Sequence, residues 1–185
     1  DYELGKDGFM SLLTPLVMAV MMVVAGTLAD WLRNTEVLTT TQVRKVFSCG
    51  SFISQAILIV LVGHIHSANF ALLCLVMATG LGAFAWASFS VNHLDIAPQY
   101  ASALMGLSNT FASCTSFLSP ALVIYFIRDG SSERWQHVFY IIMAVYLVGA
   151  LFYWIFASGE RQPWAPPAVN PDAESLSHLQ RSRVV

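Results

Sequence analysis

Ser108, Ala112, Thr115 and Ser119 recur at three- and four-residue spacing, with Asn109 beside them and Pro120 just beyond. On a helix this spacing gathers them into one stripe. The stretch around it is apolar enough for lipid, and a polar stripe there must face either protein or water. Two roles fit: a tightly packed small-residue interface, or the lining of a cavity in which Ser108, Asn109 and Thr115 meet a polar solute.

Two further groups carry charge or titrate. In Asn92-His93-Leu94-Asp95-Ile96-Ala97-Pro98, Asp95 can cap the helix that follows and His93 can titrate near neutral pH. Capping and interface anchoring are the plainer roles for Asn92, His93 and Asp95, and proton handling the sharper one. In Gly26-Thr27-Leu28-Ala29-Asp30-Trp31-Leu32-Arg33, Gly26 permits close approach of a neighbour, while Asp30 can face a positive helix N-terminus and pair with a cation. Gly26, Asp30 and Arg33 then form an interhelical latch, against the plainer reading of solvated residues at a membrane border.

Enzymatic chemistry has no foothold. The sequence holds no Ser-His-Asp or Cys-His pairing outside lipid, no metal-ligand spacing and no phosphate loop, so neither a catalytic site nor a metal nor a cofactor is expected. Cys49, Cys74 and Cys114 are scattered through apolar runs and read as packing residues. The net charge of −2, with Lys and Arg placed singly or in pairs, offers no footprint for nucleic acid.

The elements that must position these residues are apolar runs: Phe9–Ala29, Val46–Gly63, Phe70–Val91, Ala101–Ile127 and Val138–Ala157. None contains a formal charge, and each approaches the roughly 20 residues with which a helix crosses a bilayer. Barrel strands would be about half as long and would alternate. The fold class is therefore an all-α membrane protein of five transmembrane helices. A composition of 56% hydrophobic and 11% charged residues agrees with it, since soluble domains carry about 25% charged residues.

Residues 1–157 form the membrane domain, and 158–185 read as a disordered tail rich in Pro and polar residues. The chain starts at Asp1 almost directly on its first span, which reads as a cut end and makes the sequence a fragment. Segments 30–45, 92–100 and 158–185 hold six of the Lys and Arg residues and the alternate set holds three. The positive-inside bias therefore puts the first set, and with it the C-terminus, in the cytosol.

At two of the polar segments a family resemblance becomes specific. The run SVNHLDIAPQYASALMGLSNTFA, Ser90 to Ala112, resembles the signature at the tenth and eleventh helices of the anion:cation symporter branch of the major facilitator superfamily. GTLADWLR, Gly26 to Arg33, is similar to the second copy of the superfamily's cytosolic loop motif. TTTQVRKVFSCG, Thr39 to Gly50, and FASGERQPWA, Phe156 to Ala165, resemble segments of vesicular glutamate transporters, which belong to that branch with sialin and the sodium–phosphate cotransporters. Two departures stand out: Gln99 replaces a basic residue common after the Ala-Pro pair, and Ala112-Ser113-Cys114-Thr115-Ser116 replaces a Gly-rich stretch.

The resemblance implies that the five spans are helices eight to twelve of a twelve-helix alternating-access carrier. It implies transport of an organic or inorganic anion of the glutamate, sialic acid or phosphate class, coupled to a proton or sodium gradient or to membrane potential. It also implies an intracellular vesicle, lysosomal or plasma membrane as the location. The family holds its anion with basic residues of the first domain and near the seventh helix, all outside this chain. No Lys or Arg occurs in any of the five runs, so the counter-charges must come from a missing N-terminal half and the fragment should be inactive alone. The competing class is a non-transporting membrane protein or truncated isoform acting through helix packing with a partner.

Overall fold

The computed structural model describes residues 2–65, 67–126 and 132–165, and the described residues form five long helices with no strand among them. They are α1 (Tyr2–Asn34), α2 (Thr40–His64), α3 (Ala68–Ile96), α4 (Ala101–Phe126) and α5 (Ser132–Phe156), with one 3-10 turn at Pro98–Tyr100. All five are long and apolar enough to cross a membrane.

The helices outrun the apolar runs. α1 continues to Asn34, α2 begins at Thr40 rather than near Val46, and α3 continues to Ile96, so Asn92 to Asp95 belong to the last turns of a helix. An apolar run marks depth in hydrocarbon, whereas a helix persists into the headgroup region for as long as its backbone bonds are made. Chain ends are set by local chemistry instead. Thr39 Oγ1 accepts from the Gln42 amide at 3.3 Å while Gln42 Oε1 accepts from the Thr39 amide at 2.9 Å, a reciprocal cap that starts α2. Pro98 disfavours helical backbone at Ala97, whose φ of −155° ends α3. The connector after α1 turns at Glu36, which takes a φ of 55°, with its amide donating to the Arg33 carbonyl.

Helix α3 is sandwiched between α1 and α2, and α5 packs on the far side of α2, while α4 touches α3 and α5 only lightly. Lipid tails are as apolar as Leu, so close helix approach must come from small residues and shape rather than from water exclusion. Ala78, Gly80, Gly82, Ala83, Ala85 and Ser88 supply that on α3, all buried. A Cβ on Gly80 would meet Val17 Cγ1 of α1 at 2.9 Å, and one on Gly82 would meet Gln55 Oε1 of α2 at 3.3 Å. Gly63 serves the α2–α5 contact, with Phe139 at 2.6 Å from a built Cβ. Ala29, Val43 and Phe47 form a buried cluster where α1, α2 and α3 converge, and Phe84 meets Phe47 edge to face.

Candidate functional site: a helix-end ion pair and an open polar helix

Thr40 is the first residue of α2, so Arg44 falls in its second turn, and Asp95 is the penultimate residue of α3. The short connector between these helices makes them antiparallel, which brings the two side chains to the same end. Arg44 Nε donates to Asp95 Oδ2 at 2.7 Å, with the side chains only 3% and 13% exposed. Arg44 Nη1 also reaches the Ala87 carbonyl at 3.4 Å, and Ser88 Oγ donates to the Arg44 carbonyl at 2.7 Å. Among the described residues this is the one Lys/Arg–carboxylate pair. Beneath it Tyr153 of α5 turns its buried hydroxyl toward Ser48 and Ser88 without a bond of standard geometry.

The pair also places the junction residues. Asp95 spends its carboxylate on Arg44, and the residue at the cap of the 3-10 turn is Ala97, with no side-chain bond. His93 is half-buried, with Nδ1 at 3.2 Å from the Ser90 carbonyl and Nε2 at 3.4 Å from Ser108 Oγ. Two groups read separately in the sequence, the helix junction and the polar stripe, thus meet at one contact. Asn92 Oδ1 is buried with no hydrogen-bond partner among the described residues.

Along α4, Ser108, Asn109 and Thr115 are all exposed. The hydroxyls of Ser108, Thr110, Ser113 and Thr115 donate to carbonyls three or four residues back, those of Met105, Gly106, Asn109 and Ala112. Among the described residues no other helix covers the stripe beyond the contact of His93 with Ser108. Cys114 shares this exposure, unlike the buried Cys49 and Cys74.

The residues read as a latch lie at the same end as the ion pair, but the chain does not join them. Asp30 and Arg33 are exposed, and nothing lies within 4 Å of a Cβ built on Gly26. Arg33 lines a polar recess of about 450 Å³ with Glu36, Thr39, Thr41, Gly159 and Glu160.

In the sequence Arg44 counts only among the Lys and Arg of segment 30–45, and Gln55 does not stand out. Gln55 Oε1 accepts from Tyr146 Oη at 3.1 Å, its Nε2 donates to Ser51 Oγ at 3.0 Å, and Ser51 Oγ donates to the Leu81 carbonyl at 2.8 Å. This network ties α2, α3 and α5 at mid-depth. Its signal was available: an amide inside an apolar run must find partners. No cluster of His, Cys, Asp or Glu able to hold a metal occurs among the described residues.

Comparison with known proteins gives this arrangement a lineage. The family model described as Major Facilitator Superfamily matches residues 8–185. Vesicular glutamate transporter 2.2 of Danio rerio is 46% identical over 171 residues, which is 92% of this chain and 29% of the relative. Vesicular glutamate transporter 2 of Homo sapiens is 45% identical over 166 residues, or 90% of this chain and 28% of the relative. Vesicular glutamate transporter 1 of Xenopus tropicalis is 44% identical over 171 residues, or 92% and 30%. The chain thus spans about three-tenths of the length of the curated relatives it matches. The chain belongs to the major facilitator superfamily, and its similarity to vesicular glutamate transporters bears out the anion:cation symporter branch read from Ser90 to Ala112.

Proposed function

We propose that the chain supplies helices eight to twelve of an alternating-access carrier for small anions of the glutamate, sialic acid or phosphate class. The observation that carries this reading is the similarity to vesicular glutamate transporters over nine-tenths of the chain. Geometry supports it at one place: α4 presents Ser108, Asn109 and Thr115 on a face that no other described helix covers, next to His93. A half-carrier would present such a face to the central cavity.

In this reading α4 lines the substrate path, with Ser108, Asn109 and Thr115 offering neutral hydrogen bonds. Cations from helices outside the chain balance the substrate's charge, and a proton or sodium gradient or membrane potential drives it. Asn92, His93 and Asp95 form the junction from which α4 departs. Gly26, Asp30 and Arg33 form the latch, closed by a partner from the other half. The membrane is that of an intracellular vesicle or lysosome, or the plasma membrane, with the C-terminus in the cytosol.

The test is uptake by proteoliposomes carrying the full-length coding product that contains this chain, with glutamate, sialic acid and phosphate offered in turn. Saturable, gradient-dependent uptake of one of them is expected. Binding of none, with no uptake under proton, sodium or electrical gradients, would favour the non-transporting class instead.

A further inference from the structure

The segment after α5 was read as the start of a disordered tail, yet Ala157 to Ala165 lies against the bundle. The Gly159 amide donates to Thr41 Oγ1 at 2.9 Å, and the Gln162 amide donates to the Ile96 carbonyl at 2.9 Å. Trp164 then reaches Tyr100, ring centroids 6.4 Å apart and planes 30° from parallel. Gly159 sits so close that a Cβ would lie 2.7 Å from the Thr41 nitrogen and 2.9 Å from the Thr40 carbonyl carbon. Backbone cannot yield as a flexible side chain does, so this site admits only Gly. Ser158 Oγ accepts from the Glu160 amide at 3.2 Å, and the Ala165 amide closes a turn onto Gln162.

These contacts are laid out in sequence across three elements. Gly159 touches the first turn of α2, Gln162 the last carbonyl of α3, and Trp164 the turn that leads into α4. The Ile96 carbonyl is one of those a helix end leaves without an intrahelical partner, so the strap satisfies a group that otherwise needs water. Helix α2 and helix α3 are already firmly packed along their length. Helix α4 is not, and the strap's far end grips its root.

We propose that residues 158–165 are a strap that sets how far α4 can swing from the α2–α3 pair, with Gly159 and Gln162 as positioning residues for the gate. The proposal rests on the transport reading for its functional consequence and not for its geometry. Releasing the strap frees Tyr100 and the first turn of α4 while leaving the substrate-facing stripe untouched. It also opens one wall of the recess that Arg33 lines, because Gly159 and Glu160 form that wall.

The experiment uses the full-length coding product in a cysteine-free background with a single Ala101→Cys, half-buried at the start of α4. Maleimide labelling is timed without substrate or gradient, and turnover and KM are measured separately. Gln162→Pro removes the amide that holds Ile96, whereas Gln162→Ala keeps it. Gln162→Pro, Gly159→Val and Thr41→Val should each speed labelling several-fold and lower turnover with KM unchanged, and Gln162→Ala should behave as wild type. Elution as a single monodisperse peak identifies the variants that fold, and Thr41→Val, which adds no bulk, guards against loss of Gly159→Val. Equal labelling in all variants would overturn the strap. Faster labelling in a protein that transports nothing would keep the strap and sink the transport reading.

Discussion

Arg44 and Asp95 each sit at the electrostatically wrong end of their own helix and at the right end of their neighbour's. Arg44 lies near the positive N-terminus of α2, but the antiparallel α3 presents its negative C-terminal end there. Asp95 lies in the last turn of α3, beside the first turns of α2. Each charge is therefore stabilised from across the interface, and α2 and α3 cannot slide relative to one another without separating each charge from the neighbouring pole that favours it.

That relationship makes loss of one partner costly. Arg44→Ala and Asp95→Asn should each destabilise the purified full-length protein by about 3–5 kcal/mol, because a buried charge is left uncompensated. Replacing both by neutral residues should cost less than either alone. Thermal unfolding in detergent of the two single variants and the double variant checks this; additive losses would contradict it.

Asp30→Asn should behave in the opposite way. Asp30 is exposed and holds no ion pair among the described residues, so stability should change by no more than about 0.5 kcal/mol. On the proposed latch reading, turnover should nonetheless fall by about two- to five-fold, the population shift that one charge at a helix terminus can exert. Wild-type turnover would return Asp30 to the role of a solvated border residue.

Gly80 gives the α1–α3 contact a sharper test. A Cβ there already meets Val17 Cγ1 at 2.9 Å and Met21 Cγ at 3.4 Å, so Gly80→Leu must part the helices. A loss of about 1–3 kcal/mol is expected by thermal melting, while Gly26→Ala, whose surroundings are open within this chain, should melt as wild type.

Residues 1–185 reconstituted alone should not take up anions. Their Lys and Arg residues lie outside the apolar runs, and no other described helix covers most of the polar face of α4, so on the proposed reading both the counter-charge and the opposite cavity wall come from elsewhere. Saturable uptake above that of empty liposomes would refute this.

The connector around Asn34 and the strap should label from the cytosolic side, and Ser67 from the opposite side. The hydrogen bonds from Gly159 to Thr41 and from Gln162 to Ile96 put the first two at one end of the bundle, and the Lys and Arg bias assigns that end to the cytosol. Single cysteines at Asn34 and Ser67 in the full-length protein, exposed to an impermeant maleimide, distinguish the two orientations.

The five helices were legible because hydrocarbon imposes a length on any apolar run that crosses it. Their ends were less so, since Thr39 with Gln42 and Ala97 with Pro98 decide them through bonds that hydropathy does not register. Arg44 with Asp95 was hidden by separation: the two stand 51 positions apart in sequence, and each alone resembles a border charge. The strap was hidden by composition, because Pro163 and the polar residues around it mimic a free tail while the Gly159 and Gln162 amides are engaged.

The back-bonded hydroxyls of α4 bear on how such a protein is made. Ser108, Thr110, Ser113 and Thr115 satisfy themselves on their own helix, so α4 can enter lipid and wait there without exposing unmet polar groups. Asn109 is the exception on that face, since its amide has no such bond among the described residues, and its unmet groups favour a polar partner over lipid.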